Sequence, residues 1–161
     1  GATPVSFTAA SFDFTAGGTF PAVFSDYGTL LAVAQTFEDT GVRAYKGQAG
    51  NLMSNNDYLT AALQIHSVEA RHAAHIREMR KAANLLVPAG VDVKPWITLN
   101  ESGIGTPAVQ ASYDGEESIM QAGIAITQIG GTQITAAAAS EAFDEPLTKE
   151  QITAIVTPFF A

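Results

Sequence analysis

The chain predicts an all-α fold: two long antiparallel helices, followed by a long irregular loop and short C-terminal helices. Three observations carry this. Two patterns of 3.6-residue period flank the short turn Met53-Ser54-Asn55-Asn56-Asp57. No period-two run is sustained anywhere, and the last third is rich in Ala with helix-start signals.

Residues 1–20 place Val5, Phe7, Phe12 and Phe14 among Thr, Ser and Gly with neither period sustained, so an extended, Phe-anchored connection is expected. Pro21 stands near the start of helical pattern, and Ser25 or Asp26 is the N-cap of the first long helix, which runs to Leu52. Its apolar stripe is Leu30, Leu31, Ala34, Phe37, Gly41, Tyr45, Gln48 and Leu52, with Glu38 in the middle of it. Gly28, Gly41 and Gly47 each weaken the helix by about 1 kcal/mol relative to Ala, so packing must hold it. Gly41, one turn after Glu38, leaves room for another group to come close.

Asn55 or Asn56 caps the second helix, residues 57–84. The short link makes the two helices antiparallel neighbours. Tyr58, Leu59, Ala62, Ile65, Ala73 and Ile76 form its inner stripe, with Glu69 near the centre and His72 toward the edge. Arg71, His75 and Glu78 fall on the solvent side. His66 lies near the inner face, where a satisfied core histidine is favoured over a role supporting a site. Tyr45 shares the face of Glu38, and core packing is its favoured role over contact with a site.

Residues 85–118 are rich in Pro and Gly and lack a period, as expected of a segment that wraps a core or caps a site, with Trp96 as anchor. Asp114, Glu116 and Glu117 read as solvated loop acidity rather than a calcium turn. Residues 119–129 and 133–143 are expected to be short helices. Thr148 with Gln151 forms a capping box for a last one ending near Pro158. The whole of 1–161 reads as one domain.

With 161 residues, 47% apolar and 15% charged, the chain is long enough for a core of its own. A formal charge of -8 argues against nucleic acid and anionic lipid as partners, and no apolar run is long enough to span a membrane. Without Cys, disulfides and thiolate metal sites are excluded. Any metal must be held by Glu, Asp and His, which suits iron, manganese or zinc.

Carboxylates within an apolar stripe need a partner, a proton or a metal, because burying the ion alone costs several kcal/mol. Glu69 and His72, three apart, point the same way on a helix. Glu38 on the antiparallel neighbour stands at matching depth from the turn. In carboxylate-bridged di-metal bundles two helices each give a Glu, and two give a Glu-x-x-His pair. Glu38, Glu69 and His72 are then half of such a ligand set.

The chain resembles the bacterial ferritin-like domain proteins in AQTFEDTGVRAYKGQAGNL at residues 34–52, YLTAALQIHSVEARHAAHIR at 58–77 and EAFDEPLTKEQITAIV at 141–156. The resemblance implies that the two long helices are the third and fourth of a four-helix bundle and that residues 1–20 are the crossover leading into them. It places the first two bundle helices outside this chain, as in the C-terminal half of a domain. A missing N-terminal half, or a second copy in a homo-oligomer, would then complete the bundle. It implies Glu38, Glu69 and His72 as ligands of iron or manganese, with His66 and Tyr45 as supporting neighbours. Oxidation of Fe(II) or breakdown of peroxide would follow, in a periplasmic or extracellular protein. The alternative is a structural or assembly protein that keeps the bundle with its metal site unfilled. A third reading is a small-ligand binder, to be recognised by an apolar cavity lined by Trp96.

Overall fold

A computed structural model describes residues 4–161. The first three residues of the expected N-terminal connection lie outside that range. Two helices, α1 (Tyr27–Gln48) and α2 (Asn56–Ala82), form an antiparallel hairpin closed by a 3-10 turn at Ala49–Leu52. Both starts are set by local chemistry. The Asp26 carboxylate accepts a 2.7 Å hydrogen bond from the Thr29 amide, and the Asn55 side chain accepts from the amides of Asp57 and Tyr58, satisfying donors that a helix start leaves free. At its far end α2 stops where Asn84 takes a left-handed φ of 50°.

The buried face of α1 is only in part the apolar stripe. Leu31 is buried, but so are Ala32, Val33, Gln35, Thr36, Asp39, Val42 and Arg43, while Leu30 is 42% exposed. On α2 only Ala62, Ala73, Arg77 and Arg80 are buried, and Tyr58 and Ile65 are open to solvent. Residues 85–147 explain the difference, because they lie along the back of the hairpin. Ile97, Ile104, Val109 and Tyr113 pack on Ala32 with Phe20 at the margin.

This covering segment departs from expectation in three places. Trp96 is 51% exposed and does not anchor it. Residues 119–129 are not a helix but a two-stranded hairpin, β1 (Met120–Gln121) with β2 (Ile124–Ala125), followed by 3-10 turns. Ala122 and Gly123 turn it, with φ of 50° and 81° that a helix cannot accommodate. The Ala-rich stretch gives only α3 (Ala136–Ser140).

Beyond it, α4 (Lys149–Val156) begins with the expected capping box of Thr148 and Gln151. The N-terminal connection meets the C-terminal residues. Phe12 and Phe160 form a β-bridge, and the Asp13 amide donates to the Phe159 carbonyl at 2.9 Å. Phe159 lies 4.6 Å, centroid to centroid, from Phe37 on α1, so the Phe-rich connection is anchored as its composition suggested. No helix among the described residues is long and apolar enough to cross a membrane.

Candidate metal centre

Glu38 near the middle of α1 and Glu69 and His72 on α2 come together across the hairpin. The His72 Nδ1 lies 3.2 Å from both carboxylate oxygens of Glu38. Glu69, one helical turn before His72, lays its carboxylate over the backbone of Gly41. A Cβ built at Gly41 would stand 1.7 Å from the Glu69 Oε2, so only glycine admits the acid there.

The three side chains sit on an open flank. His72 is 56% exposed and Glu38 27%. Helical periodicity puts Tyr27 and Ala34 on the face of Glu38, and Tyr58 and Ile65 on that of Glu69; Tyr27, Tyr58 and Ile65 are exposed. Partial burial pushes Glu69 above the ordinary carboxylate range, and the neighbouring Glu38 charge adds to this while His72 opposes it. One acid is thus disfavoured as an ion beside another, the electrostatic condition that a cation relieves.

The donors, two carboxylates and an imidazole, suit iron, manganese or zinc. Among the described residues no group of three or more His, Asp or Glu is placed to hold a metal ion as it stands. Both Glu38 oxygens face His72.

His66 and Tyr45 are half-buried and make no hydrogen bond among the described residues; a satisfied core histidine is not what the structure shows. His75 is exposed, as expected.

The acid that is fully buried on α1 is Asp39, one residue from Glu38 and rotated onto the sealed back face. It accepts from the Arg77 Nη2 at 2.6 Å and from the Tyr113 hydroxyl at 2.7 Å. Gln35 donates to the same hydroxyl at 3.1 Å, and its carbonyl oxygen accepts from Arg80 Nη1 at 2.6 Å. Arg43 lies 2.6 Å from Glu116 and donates to the carbonyls of Ser112, Asp114 and Glu145. Glu116, expected in solvent, is therefore buried; burial lifts its carboxyl to about 7 against the pull of Arg43. None of these charges stands out in the sequence, where each resembles an exposed helix or loop residue. The one available signal is Tyr113 in a turn, a large aromatic that requires a polar partner when buried.

Residues 1–82 match the model of the ferritin-like domain. No curated protein and no solved structure matches the chain significantly. The match spans half of the chain, and the chain belongs to the ferritin-like domain family.

Proposed function

We propose that this ferritin-like chain supplies one half of a carboxylate-bridged di-metal centre, with Glu38, Glu69 and His72 as its ligands. The observation that carries the reading is their convergence across α1 and α2, with Glu69 seated in the space that Gly41 leaves. A second helical pair on the open flank brings the remaining ligands, either from an N-terminal half of the domain or from a second copy. Iron or manganese bound there would supply open coordination positions for Fe(II) oxidation or peroxide breakdown. On the family resemblance alone, we place the protein in the periplasm or outside the cell.

The test is metal analysis of the native protein beside Glu38→Ala and Glu69→Ala, with solution size measured on the same samples. Iron or manganese in the native protein, lost in both variants, is expected. Absence of iron, manganese and zinc from the native protein at any stoichiometry sinks the reading.

One observation favours a second reading, a structural bundle with an unfilled site: Glu38 and His72 already satisfy one another directly. On that reading chelators leave thermal stability and oligomeric state unchanged, whereas a loaded centre stabilises the fold by an amount that grows with the logarithm of metal concentration over its dissociation constant.

A further inference from the structure

A cavity of about 240 Å³ lies on the sealed side of the hairpin, between α1, α2 and residues 95–97. It exists because Ala70, Ala73 and Ala74, at i, i+3 and i+4 on α2, present one short-chained patch. Trp96 stands across from them at the rim. Its indole faces Glu141, which also takes hydrogen bonds from Lys94 and Thr98.

The polar end of this cavity holds Asp39, Arg77 and Asp144. Asp39 and Arg77 cancel as an ion pair at 2.6 Å. Lys94 is spent on Glu141. Lys46 approaches Asp144, but it donates to the backbone carbonyl and not to the carboxylate. Among the described residues no group donates a hydrogen bond to the Asp144 carboxylate. The cavity therefore combines an apolar floor, Trp96 in its lining and an Asp144 carboxylate that no hydrogen bond or ion pair among the described residues engages, with the charges of Arg77 and Lys46 nearby.

We infer that this cavity is a binding site for a small organic cation, with Asp144 as counter-ion and the Trp96 ring as the face over which the cation sits. An aromatic face attracts a cation through its quadrupole, and a nearby carboxylate adds charge pairing. An anion would meet two carboxylates and one already-paired arginine. A bare metal ion would find a single free carboxylate, too few donors for any of the ordinary coordination geometries. The volume is below the roughly 300 Å³ at which drug-sized pockets begin, which limits the ligand to on the order of ten heavy atoms. The site is independent of Glu38, Glu69 and His72, so its test does not depend on metal loading.

Trp96 is the only tryptophan in the chain, so its fluorescence reads this cavity alone. The probes are choline chloride, its neutral isostere 3,3-dimethylbutan-1-ol, and sodium chloride at matched ionic strength. Choline is expected to give a saturable change in the millimolar range or below, with the neutral isostere at least about tenfold weaker. Asp144→Asn, whose side chain has no hydrogen bond to lose, is expected to weaken choline by about tenfold and leave the unfolding midpoint in place. Ala74→Leu, which fills the floor, is expected to abolish the response in a protein whose helical circular dichroism is native. A response to choline no different from that to the isostere or to sodium chloride overturns the proposal. So does undiminished binding by a folded Asp144→Asn. If that variant unfolds, the comparison of choline with its isostere in the unmodified protein decides the matter alone.

Discussion

Two glycines in α1 give opposite predictions from the same substitution. Gly41→Ala and Gly47→Ala both relieve the backbone entropy that glycine costs in a helix, a gain of up to about 1 kcal/mol each. They differ in what the new methyl meets. At Gly41 it meets the end of a flexible side chain, the Glu69 carboxylate, with Oε2 at 1.7 Å. That group can rotate toward solvent. At Gly47 the methyl meets backbone, the Leu147 carbonyl oxygen at 2.1 Å and its carbon at 3.1 Å.

Leu147 is not free to retreat. Its amide donates to the Arg43 carbonyl at 3.2 Å, and its side chain is 2% exposed. Restoring ordinary contact requires the strand of backbone around Leu147 to lift by more than an ångström. Overpacking of that kind costs about 1–3 kcal/mol, and stretching the Leu147–Arg43 hydrogen bond adds about 0.5–1.5 kcal/mol. The helix gain offsets part of this, leaving Gly47→Ala destabilised by about 1–3 kcal/mol. For a domain of this size that lowers the melting midpoint by roughly 3–10 °C. Gly41→Ala should melt at or slightly above the native temperature, while displacing Glu69 and so losing bound metal. Thermal unfolding by circular dichroism, with metal analysis of the same samples, is the assay. A Gly47→Ala midpoint at or above native, or an equal fall in both variants, refutes the reasoning.

Glu116 carries a pH signature. Its carboxyl titrates near 7 in the folded protein against an ordinary 4.5, so the native state binds the extra proton and stability falls as pH rises through that window. Glu116→Gln should flatten the fall, seen as a smaller difference in urea midpoint between about pH 5 and pH 8; Glu69, also raised, adds to the same slope and remains in the variant. Tyr113→Phe removes a hydroxyl that bonds Asp39 and Gln35 in a fully buried setting, and should cost about 1–3 kcal/mol by denaturant unfolding. Thr148→Ala removes the 3.2 Å bond to the Gln151 amide and should cost about 1 kcal/mol, with an effect near zero showing that α4 does not depend on its cap.

The parts of the fold that are legible in the sequence are those decided locally. Asp26, Asn55 and Thr148 begin their helices as caps, because a side-chain oxygen beside free amides acts over three residues. Gly41 is legible for a related reason, as a position on the inner face where another group can come close; that the group is Glu69 is seen in the structure alone. The back face is not legible. Asp39 meets Arg77 and Tyr113 at separations of 38 and 74 residues, and nothing in the local pattern distinguishes it from Glu38 beside it. Residues 119–129 fail for another reason: Ile119, Ile126 and Ile129 suit a helical stripe, and the left-handed Ala122–Gly123 turn overrides them. Trp96, read from the sequence as the anchor of residues 85–118, is half exposed. Its exposure follows from the cavity beneath it, where three alanines leave space that no side chain of the described residues fills.

The adjacency of Glu38 and Asp39 shows how the hairpin presents its open flank. Consecutive residues on a helix point about 100° apart, so the two acids face different neighbours: Glu38 meets His72 in partial solvent, and Asp39 meets Arg77 under the covering segment. Rolling α1 by one residue would put Asp39 in the open site and leave Glu38 buried. Apolar packing alone does not fix the roll, since the face covered by residues 85–147 is mixed, with Ala32 and Val42 beside Gln35, Asp39 and Arg43. The buried pairs discriminate strongly, because removing one partner from a buried ion pair costs about 3–5 kcal/mol. Asp39 with Arg77 and Arg43 with Glu116 therefore hold α1 in the one rotation that leaves Glu38 on the flank with Glu69 and His72. The C-terminal half of the chain, which holds none of the three proposed ligands, in this way helps to set the geometry of Glu38, Glu69 and His72.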